Sequence, residues 1–547
     1  MATRGRVKQA LAAANGRLSI QASAVLLSSA TLTSSLLGFY RDRLLNSMYL
    51  EKYPIGLSAY TVAFTIPDFM YFLLVSGALS VSFIPVFNQR LASGNKESAW
   101  RLSSSLINFM ALVTMVASIL IIIFAEPLVH HVVAPGLDES GRALAVSLMR
   151  VIAVNPFLFA IATVIASMQQ AVGRFVFYAM APMIYNIGII IGALFFTDGI
   201  TLFGWRVFDG GIMGVALGVV LGSIMQLIVS AWGLRGLGFD YEFKIRWKHK
   251  GFRQVLRLLP ARSLDQGLDY INSLVEIRLA SYMLDGTIRA YQQALTISLL
   301  PVNLIGVSIA NAYFPKMTVT VAEGDRSKLI HDLRSVIRMI VWIILPIATV
   351  TFFGRGYLAN FLDRQGNIMI ANVIGALVVS IVFRTVYHIL ARVFYANQDT
   401  KTPLYVSIFS IGFNIVLALL FTMYFHFGVF GLAWAQSIMA LVEVTILVAI
   451  LTRRIKGLFD LSFLRGVLIM LGASGVMALV TYVCVRIFPL LNGDESIWTT
   501  FPKFALVALI SGAAYVLISK LFKIEESAPV IRRIGKILYG RVGVKHD

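Results

Sequence analysis

Polar residues recur at helical spacing within one long apolar stretch, residues 260–284. They are Arg262, Asp265, Asp269, Asn272 and Glu276. Spacings of three and four residues place them within a narrow arc of one helix face. A charge at the centre of a membrane helix costs about 2.5–3.5 kcal/mol, so several carboxylates cannot face lipid. This face is predicted either to line a solvated pathway, which we favour, or to form a buried ion-pair seam.

A second group of charges follows the first apolar span, residues 20–40. Arg41, Asp42 and Arg43 come directly after a Leu-Leu-Gly-Phe-Tyr run. The planar guanidinium of arginine can bind two phosphate oxygens at once. Arg41 is therefore the first candidate for binding an anionic substrate, with Asp42 and Arg43 beside it. The alternative is an arginine at the membrane rim that is held there by Asp42.

Two further arginines lie within apolar segments. Arg384 shares one helix face with His388 and Arg392, at spacings of four residues. Because Arg384 lies deep in an apolar run, it needs a partner, and the carboxylates of residues 260–284 are natural candidates. Arg289 precedes a polar run in the next apolar segment. Arg289 and Arg384 are therefore secondary candidates for substrate binding.

Composition places the chain in a membrane. Of its 547 residues, 58% are hydrophobic and 14% are charged, which excludes an ordinary soluble domain. Apolar segments of about 20 residues or more recur from end to end. The sequence therefore predicts an all-α polytopic membrane protein with fourteen transmembrane helices. Their predicted limits are 20–40, 57–87, 102–125, 143–169, 177–197, 211–234, 255–284, 289–318, 331–353, 368–395, 402–425, 429–451, 463–488 and 501–522.

The net charge of +20 does not indicate a nucleic-acid partner, because the basic residues lie between and after the apolar segments. That distribution is typical of membrane topology and of contact with anionic lipids. Basic residues concentrate at the amino terminus and after even-numbered spans, which predicts that both termini are cytoplasmic. The first apolar run is too long for a cleavable signal peptide. The lone Cys484 and seven scattered histidines predict neither a disulfide nor a firm metal site.

Parts of the first half of the chain return in the second half. Phe-Ile-Pro at 83–85 returns as Tyr-Phe-Pro at 313–315, and the segment 211–216 returns as 428–433. Six spans per copy preserve the orientation, so the repeat predicts two parallel lobes around a central cavity. The predicted organisation is an N-lobe over 1–234, a basic interlobe linker over 235–254, a C-lobe over 255–452, two extra helices over 453–522, and a basic amphipathic tail over 523–547.

The connection between the lobes, residues 234–257, has two interpretations. It is either an interfacial amphipathic helix on anionic lipid or only a determinant of topology. Nothing in the chain indicates an enzyme, because it lacks a Gly-x-x-x-x-Gly-Lys phosphate loop and a Ser/His/Asp cluster in usable context. Transport would then be passive, driven by the membrane potential, or coupled to a gradient of Na⁺ or H⁺.

Several motifs carry a resemblance to a known family. They are Leu-Gly-Phe-Tyr-Arg-Asp at 37–42, Ala-Tyr-Thr-Val-Ala-Phe-Thr-Ile-Pro-Asp at 59–68, Val-Ala-Pro-Gly at 133–136, and Phe-Tyr-Ala-Asn-Gln-Asp-Thr-Lys-Thr-Pro at 394–403. These motifs resemble the MurJ/MviN family, and the resemblance covers nearly the whole chain. The family belongs to the superfamily of multidrug and oligosaccharidyl-lipid exporters. Its members look like flippases for lipid II, the undecaprenyl-diphosphate-linked peptidoglycan precursor of the bacterial inner membrane.

The resemblance implies alternating access of two lobes around a cationic cavity, and a groove for the lipid tail formed by the last two helices. Several charges of that cavity are replaced here. The positions concerned are Ser35, Ser58, Tyr71 or Phe72, Leu295, Thr296 and Leu299. Some family members place a sodium site among helices 7, 11 and 12. Asp265 or Asp269, with Asn414 and Gln436, would match that site in part, whereas Ala418 stands where a second carboxylate is expected.

Three functions remain open at this point. The first is a monomeric flippase for an anionic lipid-linked cell-wall precursor, in which the acidic residues of 260–284 couple or tune the conformational change. The second is a cation-coupled antiporter for small molecules on the same fold, which the acidic helix face favours. The third is a non-transporting membrane scaffold, which the lost arginines favour.

Overall fold

The chain is described by a computed structural model that covers residues 20–75, 78–202, 205–363, 367–491, 494 and 496–528. Within these ranges, the side chains of 20–25, 28, 78–82, 200–202, 205–207, 258, 260–269 and 322 lie outside the description. The basic tail predicted after residue 522 therefore lies mostly outside the described residues. The fold is helical, and the chain divides into two compact units, Met1–Ile288 and Arg289–Asp547.

The first unit contains nine described helices and one short hairpin. The helices are α1 (Ile20–Tyr49), α2 (Pro54–Leu74), α3 (Ala78–Ala92), α4 (Lys96–Pro127), α5 (Glu139–Ile152), α6 (Asn155–Ala171), α7 (Val176–Ile191), α8 (Ile212–Trp232) and α9 (Lys250–Ala280). The hairpin joins α7 to α8 and pairs β1 (Ile200–Leu202) antiparallel with β2 (Trp205–Phe208). The sequence did not predict it, since three to four residues per strand leave no periodic signal.

The second unit continues with a further set of helices. They are α10 (Thr287–Pro301), which begins just before the boundary, α11 (Ser308–Glu323), α12 (Arg326–Phe353), α13 (Arg355–Leu362), α14 (Ile368–Ala396), α15 (Lys401–Leu419), α16 (Val429–Arg454), α17 (Leu461–Ile487) and α18 (Ile497–Leu521). Its core forms where α12, α14, α16 and α17 meet, around Leu333, Ile340, Ile389 and Leu447. The predicted extra helices, α17 and α18, pack against each other and against α12.

Twelve spans in the described part of the chain are long and apolar enough to cross a membrane, so this is a multi-pass membrane protein. The first and seventh predicted spans are the helices α1 and α9, of 30 and 31 residues. They carry the candidate residues Arg41 and Glu276, respectively. The second predicted span differs from expectation, because the helix over 57–87 is two helices, α2 and α3. The eighth also differs, since a π-helical turn, Val302–Val307, separates α10 from α11 directly after Pro301.

The helix α9 belongs by its packing to the first unit, where it contacts α2, α3 and α4. The sequence repeat had grouped this span with the C-lobe. Its end is fixed at two points. Gly286 donates its amide hydrogen to Ser58 Oγ at 3.2 Å, and Gly136 donates to Ser281 Oγ at 3.1 Å. A Cβ at Gly136 would lie 2.6 Å from the backbone of Ser281, so only glycine allows this approach.

The basic interlobe connection is not helical over residues 233–249. The interpretation as an amphipathic helix is wrong for these residues, and regular helix begins only at Lys250. Serine and asparagine side chains of α4 hold the segment instead. Asn108 Nδ2 donates to the carbonyl of Glu242 at 2.7 Å, and Ser105 Oγ accepts from the amide of Arg246 at 3.1 Å. Residues 238–247 are called the strap below.

The motif at 394–403 forms a corner between α14 and α15. Asp399 Oδ1 accepts from the amide of Thr402 at 3.0 Å, and its Oδ2 accepts from the Thr402 hydroxyl at 2.6 Å. Arg454, at the end of α16, adds an ion pair to Asp399 Oδ2 at 2.5 Å. The most specific family motif of the sequence is therefore a structural corner in this protein.

Asp399 provides a prediction about acid stability. The Thr402 hydroxyl first, then the Thr402 amide and Arg454, lower the pKa of Asp399 to about 2. A lowered pKa in the folded state contributes stability above the ordinary carboxyl pKa near 4, and that contribution is lost as the pH falls from about 4 to about 2. We expect Asp399→Asn to lower the free energy of unfolding by about 1 kcal/mol at neutral pH. We also expect the thermal stability of the variant to fall less than that of the wild type between pH 4 and pH 2.

The measurement is the midpoint of thermal unfolding of the detergent-solubilised protein as a function of pH. The exposed Asp285→Asn is the matched control. An Asp399→Asn curve that runs parallel to the wild-type curve across this range would show that Asp399 is not the group responsible.

Candidate functional site

Arg41 is held at the C-terminal part of α1 by two partners. Its Nη1 donates to Asn186 Oδ1 at 2.9 Å, and its Nη2 and Nε donate to Asp42 Oδ1 at 3.0 and 3.2 Å. These bonds use three of the five N–H donors of a guanidinium. The other two N–H donors have no hydrogen-bond partner among the described residues, and the Arg41 side chain remains 23% exposed.

Asn186 lies on α7 and orients Arg41 because its own amide is fixed. Its Nδ2 donates to the carbonyls of Pro182 at 3.2 Å and Ser34 at 3.3 Å. Gly38, on α1, lies beside this amide, and a Cβ added there would make an ordinary contact, 3.6 Å from Asn186 Oδ1. The sequence analysis did not single out Asn186 as a partner of Arg41.

Two tyrosines lie near this arginine, and a second carboxylate lies near one of them. Tyr60 and Tyr185 lie within electrostatic range of Arg41, and Tyr185 is also within range of Asp68. Asp68, on α2, is half-buried and was quoted only as part of a motif. A carboxylate inside a predicted span is itself the signal that could have singled it out. Tyr71, also on α2, forms a hydrogen bond with Thr163 Oγ1 at 3.0 Å.

The other predicted substrate-binding residues are more enclosed. Arg43 and Arg289 are buried, with 9% and 8% of their surface exposed. Asp42 serves as the ion-pair partner of Arg41. Arg384 lies in the second unit, on α14, where its Nη2 donates to Gln436 Oε1 on α16. The structure thus gives Arg384 an amide partner, whereas the sequence suggested a carboxylate of residues 260–284.

The second unit contains a buried carboxylate that the sequence analysis missed. Glu443, on α16, is 9% exposed, and its Oε1 accepts from Ser407 Oγ at 3.0 Å. Ser407, on α15, also forms a hydrogen bond with the Tyr387 hydroxyl at 3.1 Å. Glu443 follows Gln436 by two helical turns on the same face. A lone glutamate inside the apolar run 429–451 was the available signal.

The polar face of α9 is only partly described. Asn272 and Glu276 are buried, and Asn272 Nδ2 donates to Glu276 Oε1 at 3.0 Å. This part of the face forms a packed polar contact inside the first unit. The side chains of Arg262, Asp265 and Asp269 lie outside the described residues, so a pathway along their part of the face stays a prediction.

The suggested cation site is likewise untested. Asn414 and Gln436 are both buried, at 0% and 3% exposure, on α15 and α16 of the second unit. Ala418 is buried as well. Among the residues that the structure describes, no three His, Cys, Asp or Glu side chains cluster in a way that could hold a metal ion. Asp265 and Asp269, the acidic members of the candidate cation site, lie outside the described side chains.

These features define a class first: a polytopic helical transporter of the exporter fold. A multidrug resistance MATE transporter of the MOP superfamily, in an inward-facing conformation, matches with a TM-score of 0.65 at 16% identity, over 80% of this chain and 99% of that one. A lipid II flippase MurJ structure, in an inward closed conformation, matches with a TM-score of 0.73 at 24% identity, over 91% and 98%.

The sequence comparisons then give the family. The family model described as lipid II flippase MurJ matches residues 55–507. The probable lipid II flippase MurJ of Thermotoga maritima is 25% identical over 92% of this chain and 97% of its own length. The corresponding protein of Bdellovibrio bacteriovorus is 25% identical over 85% and 89%. The chain belongs to the MurJ family, whose members are transporters rather than enzymes.

Proposed function

We propose that this protein flips lipid II from the inner to the outer leaflet of the bacterial cytoplasmic membrane by alternating access. Membership of the MurJ family across residues 55–507 supports the substrate class. The observation that carries the proposal for this chain is Arg41. Its guanidinium is pre-oriented by Asp42 and Asn186 and keeps two N–H donors for an anion. Two parallel donors match two oxygens of a diphosphate.

The proposal has consequences for topology and partners. Both termini lie in the cytoplasm, because basic residues concentrate in the connections on that side. The protein acts as a monomer, and its basic connections contact anionic lipids of the cytoplasmic leaflet. The apolar outer faces of α17 and α18, with Leu468, Leu479 and Leu509 more than 60% exposed, provide a surface on which a polyprenyl tail can lie.

The decisive experiment is transport by the purified full-length protein in liposomes loaded with lipid II. We expect lipid II to become accessible in the opposite leaflet only in vesicles that contain the protein. Depletion of the resident flippase from a bacterium gives the matching assay in cells, where expression of this chain should restore growth. Vesicles in which lipid II stays in its original leaflet, together with failed rescue, would exclude the proposal and favour a scaffold.

A cation-coupled antiporter for small molecules is the second candidate. The buried network of Glu443, Ser407 and Tyr387 in the second unit favours it, because an intramembrane carboxylate commonly marks an ion pathway. This alternative would be established by two results in liposomes. Transport of lipophilic dyes would be driven by a Na⁺ or H⁺ gradient, and lipid II would stay in its original leaflet.

Glu443 gives a prediction about coupling that applies to either function. Glu443→Gln keeps the shape and an acceptor for Ser407, so we expect the thermal midpoint to change by less than about 3 °C. We expect the dependence of transport on Na⁺ or pH to disappear, since the variant cannot exchange a charge. Ser407→Ala is the control, because it removes the hydrogen bond and keeps the carboxylate. Unchanged ion dependence in Glu443→Gln would remove Glu443 from the coupling mechanism.

A further inference from the structure

A separate cavity of about 750 Å³ lies within the first unit, between the strap and the helices α4, α6 and α8. Its volume falls in the usual range for sites that hold small organic molecules, about 300–1,000 Å³. The lining residues of α4 run from Ile107 to Met115, just over two helical turns, so the cavity extends about 12 Å along the helix. None of the candidate substrate residues lines it.

The walls of this cavity are apolar and open. They include Leu112 and Met115 of α4, Phe157 and Ile161 of α6, and Phe243 of the strap. Leu112 and Met115 are 45% and 43% exposed, and Phe243 is 91% exposed. Because α4 is part of a membrane span, this surface faces the acyl chains of the bilayer, and a lipid tail can lie between these residues.

Two basic residues of the interlobe connection, Arg235 and Lys244, line the cavity. Arg235 places its guanidinium 5.6 Å from the ring centre of Trp232. In the part of the chain that the structure describes, the Lys244 ammonium forms no hydrogen bond or ion pair. The lining thus combines two cationic side chains with predominantly apolar walls.

The strap is fixed in place, so the cavity is preformed. Glu242 donates its amide hydrogen to Ser104 Oγ at 3.2 Å, while its carbonyl accepts from Asn108. Glu242 also forms an ion pair with Arg246 at 2.7 Å. The strap is therefore attached to α4 on both sides of Lys244, at residues 242 and 246. A preformed site loses little conformational entropy on binding.

We propose that this cavity binds an anionic phospholipid of the cytoplasmic leaflet, with one acyl chain between α4 and α6 and the phosphate between Arg235 and Lys244. Charge complementarity decides the occupant, because a neutral lipid offers the two cations no anion, and the ammonium group of a zwitterionic lipid offsets the charge of its phosphate. The site goes beyond the flipping reaction, since it lies apart from Arg41 and needs no transported substrate. The interlobe connection would then bind anionic phospholipids selectively.

Native mass spectrometry of the full-length protein in a non-ionic detergent tests this site. The probes are phosphatidylglycerol, phosphatidylcholine and inorganic phosphate. Lys244→Glu reverses the charge of this side chain, and Ala111→Trp fills the cavity from α4. Lys248→Gln is the matched control, since Lys248 belongs to the same basic connection but does not line the cavity. Wild type and the control should retain phosphatidylglycerol, and each variant should weaken its binding by about fivefold or more.

Several results would overturn the proposal. One is equal retention of phosphatidylglycerol by Lys244→Glu, Ala111→Trp and wild type. A second is equal binding of phosphatidylcholine and phosphatidylglycerol, which would indicate an unspecific apolar surface. A third is a polyprenyl lipid retained by the purified protein, which would assign the cavity to the transported substrate. A thermal shift with inorganic phosphate as large as that with phosphatidylglycerol would indicate an anion site without a lipid. This experiment measures phospholipid binding and not transport. A failure of the lipid II flipping assay would therefore leave the proposed lipid site standing.

Discussion

Replacement of Arg41 by glutamine lowers lipid II transport by about ten- to a hundredfold, the size expected when a charged hydrogen-bond donor is removed from an anion site. Glutamine is polar, but it ends about two bonds short of Nη1 and lacks the positive charge and the fork of parallel donors. The measurement is the initial rate of lipid II movement in liposomes, normalised to the amount of inserted protein.

A second variant separates charge from geometry at this position. Arg41→Lys retains the positive charge but cannot present two parallel N–H groups to two oxygens. We expect its transport rate to lie between those of wild type and Arg41→Gln. A rate equal to wild type would show that only the charge matters. Asn186→Ala should also lower the rate, because Arg41 then loses the partner that orients it.

The control for Arg41 is Arg465→Gln, which removes an exposed arginine of α17. The thermal midpoint of each variant is measured alongside its rate, because Asp42 loses its ion-pair partner when Arg41 is replaced. If Arg41→Gln transports at the wild-type rate while folded, Arg41 is not the phosphate contact. If it only unfolds, the alternative of a structural arginine at the membrane rim is supported.

The largest effect on stability is expected at the glycine contact between α7 and α8. A Cβ added to Gly188 would lie 2.2 Å from Gly222 Cα, and one added to Gly192 would lie 2.3 Å from Gly218 Cα. The opposing atoms are backbone, so no side-chain rotation relieves the overlap. Small residues four apart let two membrane helices approach this closely. Gly188→Leu should therefore destabilise the protein by about 3 kcal/mol or more.

The measurement is the yield of monodisperse protein and its thermal midpoint in detergent. Gly412→Leu is the control, because Gly412 also lies in a membrane-spanning helix but nothing lies within 4 Å of its Cβ position. Since α7 also carries Asn186, a partly folded Gly188→Leu protein should lose transport as well. Equal stability of Gly188→Leu and Gly412→Leu would mean that α7 and α8 do not pack as closely as described.

Much of the fold follows from the sequence because hydrophobic runs of membrane length specify helices directly. In lipid, a backbone that makes no internal hydrogen bonds is too costly, so each long apolar segment forms a helix. Arg41 was singled out by its residue type, since a guanidinium at the end of an apolar run can bind two phosphate oxygens at once. The breaks were harder to predict, because the ends of α2 and α10 depend on local backbone geometry that residue patterns do not show.

The sequence by itself determined that polar groups lie at membrane depth, and which chemical types they are. Only the tertiary structure decided their partners: Asn186 for Arg41, Gln436 for Arg384, Ser407 for Glu443, and Glu276 for Asn272. It also decided that α9 packs with the first unit and that the interlobe connection is a strap. The physical reason is that hydropathy and spacing act within one segment, whereas a hydrogen bond between residues 41 and 186 depends on which helices become neighbours.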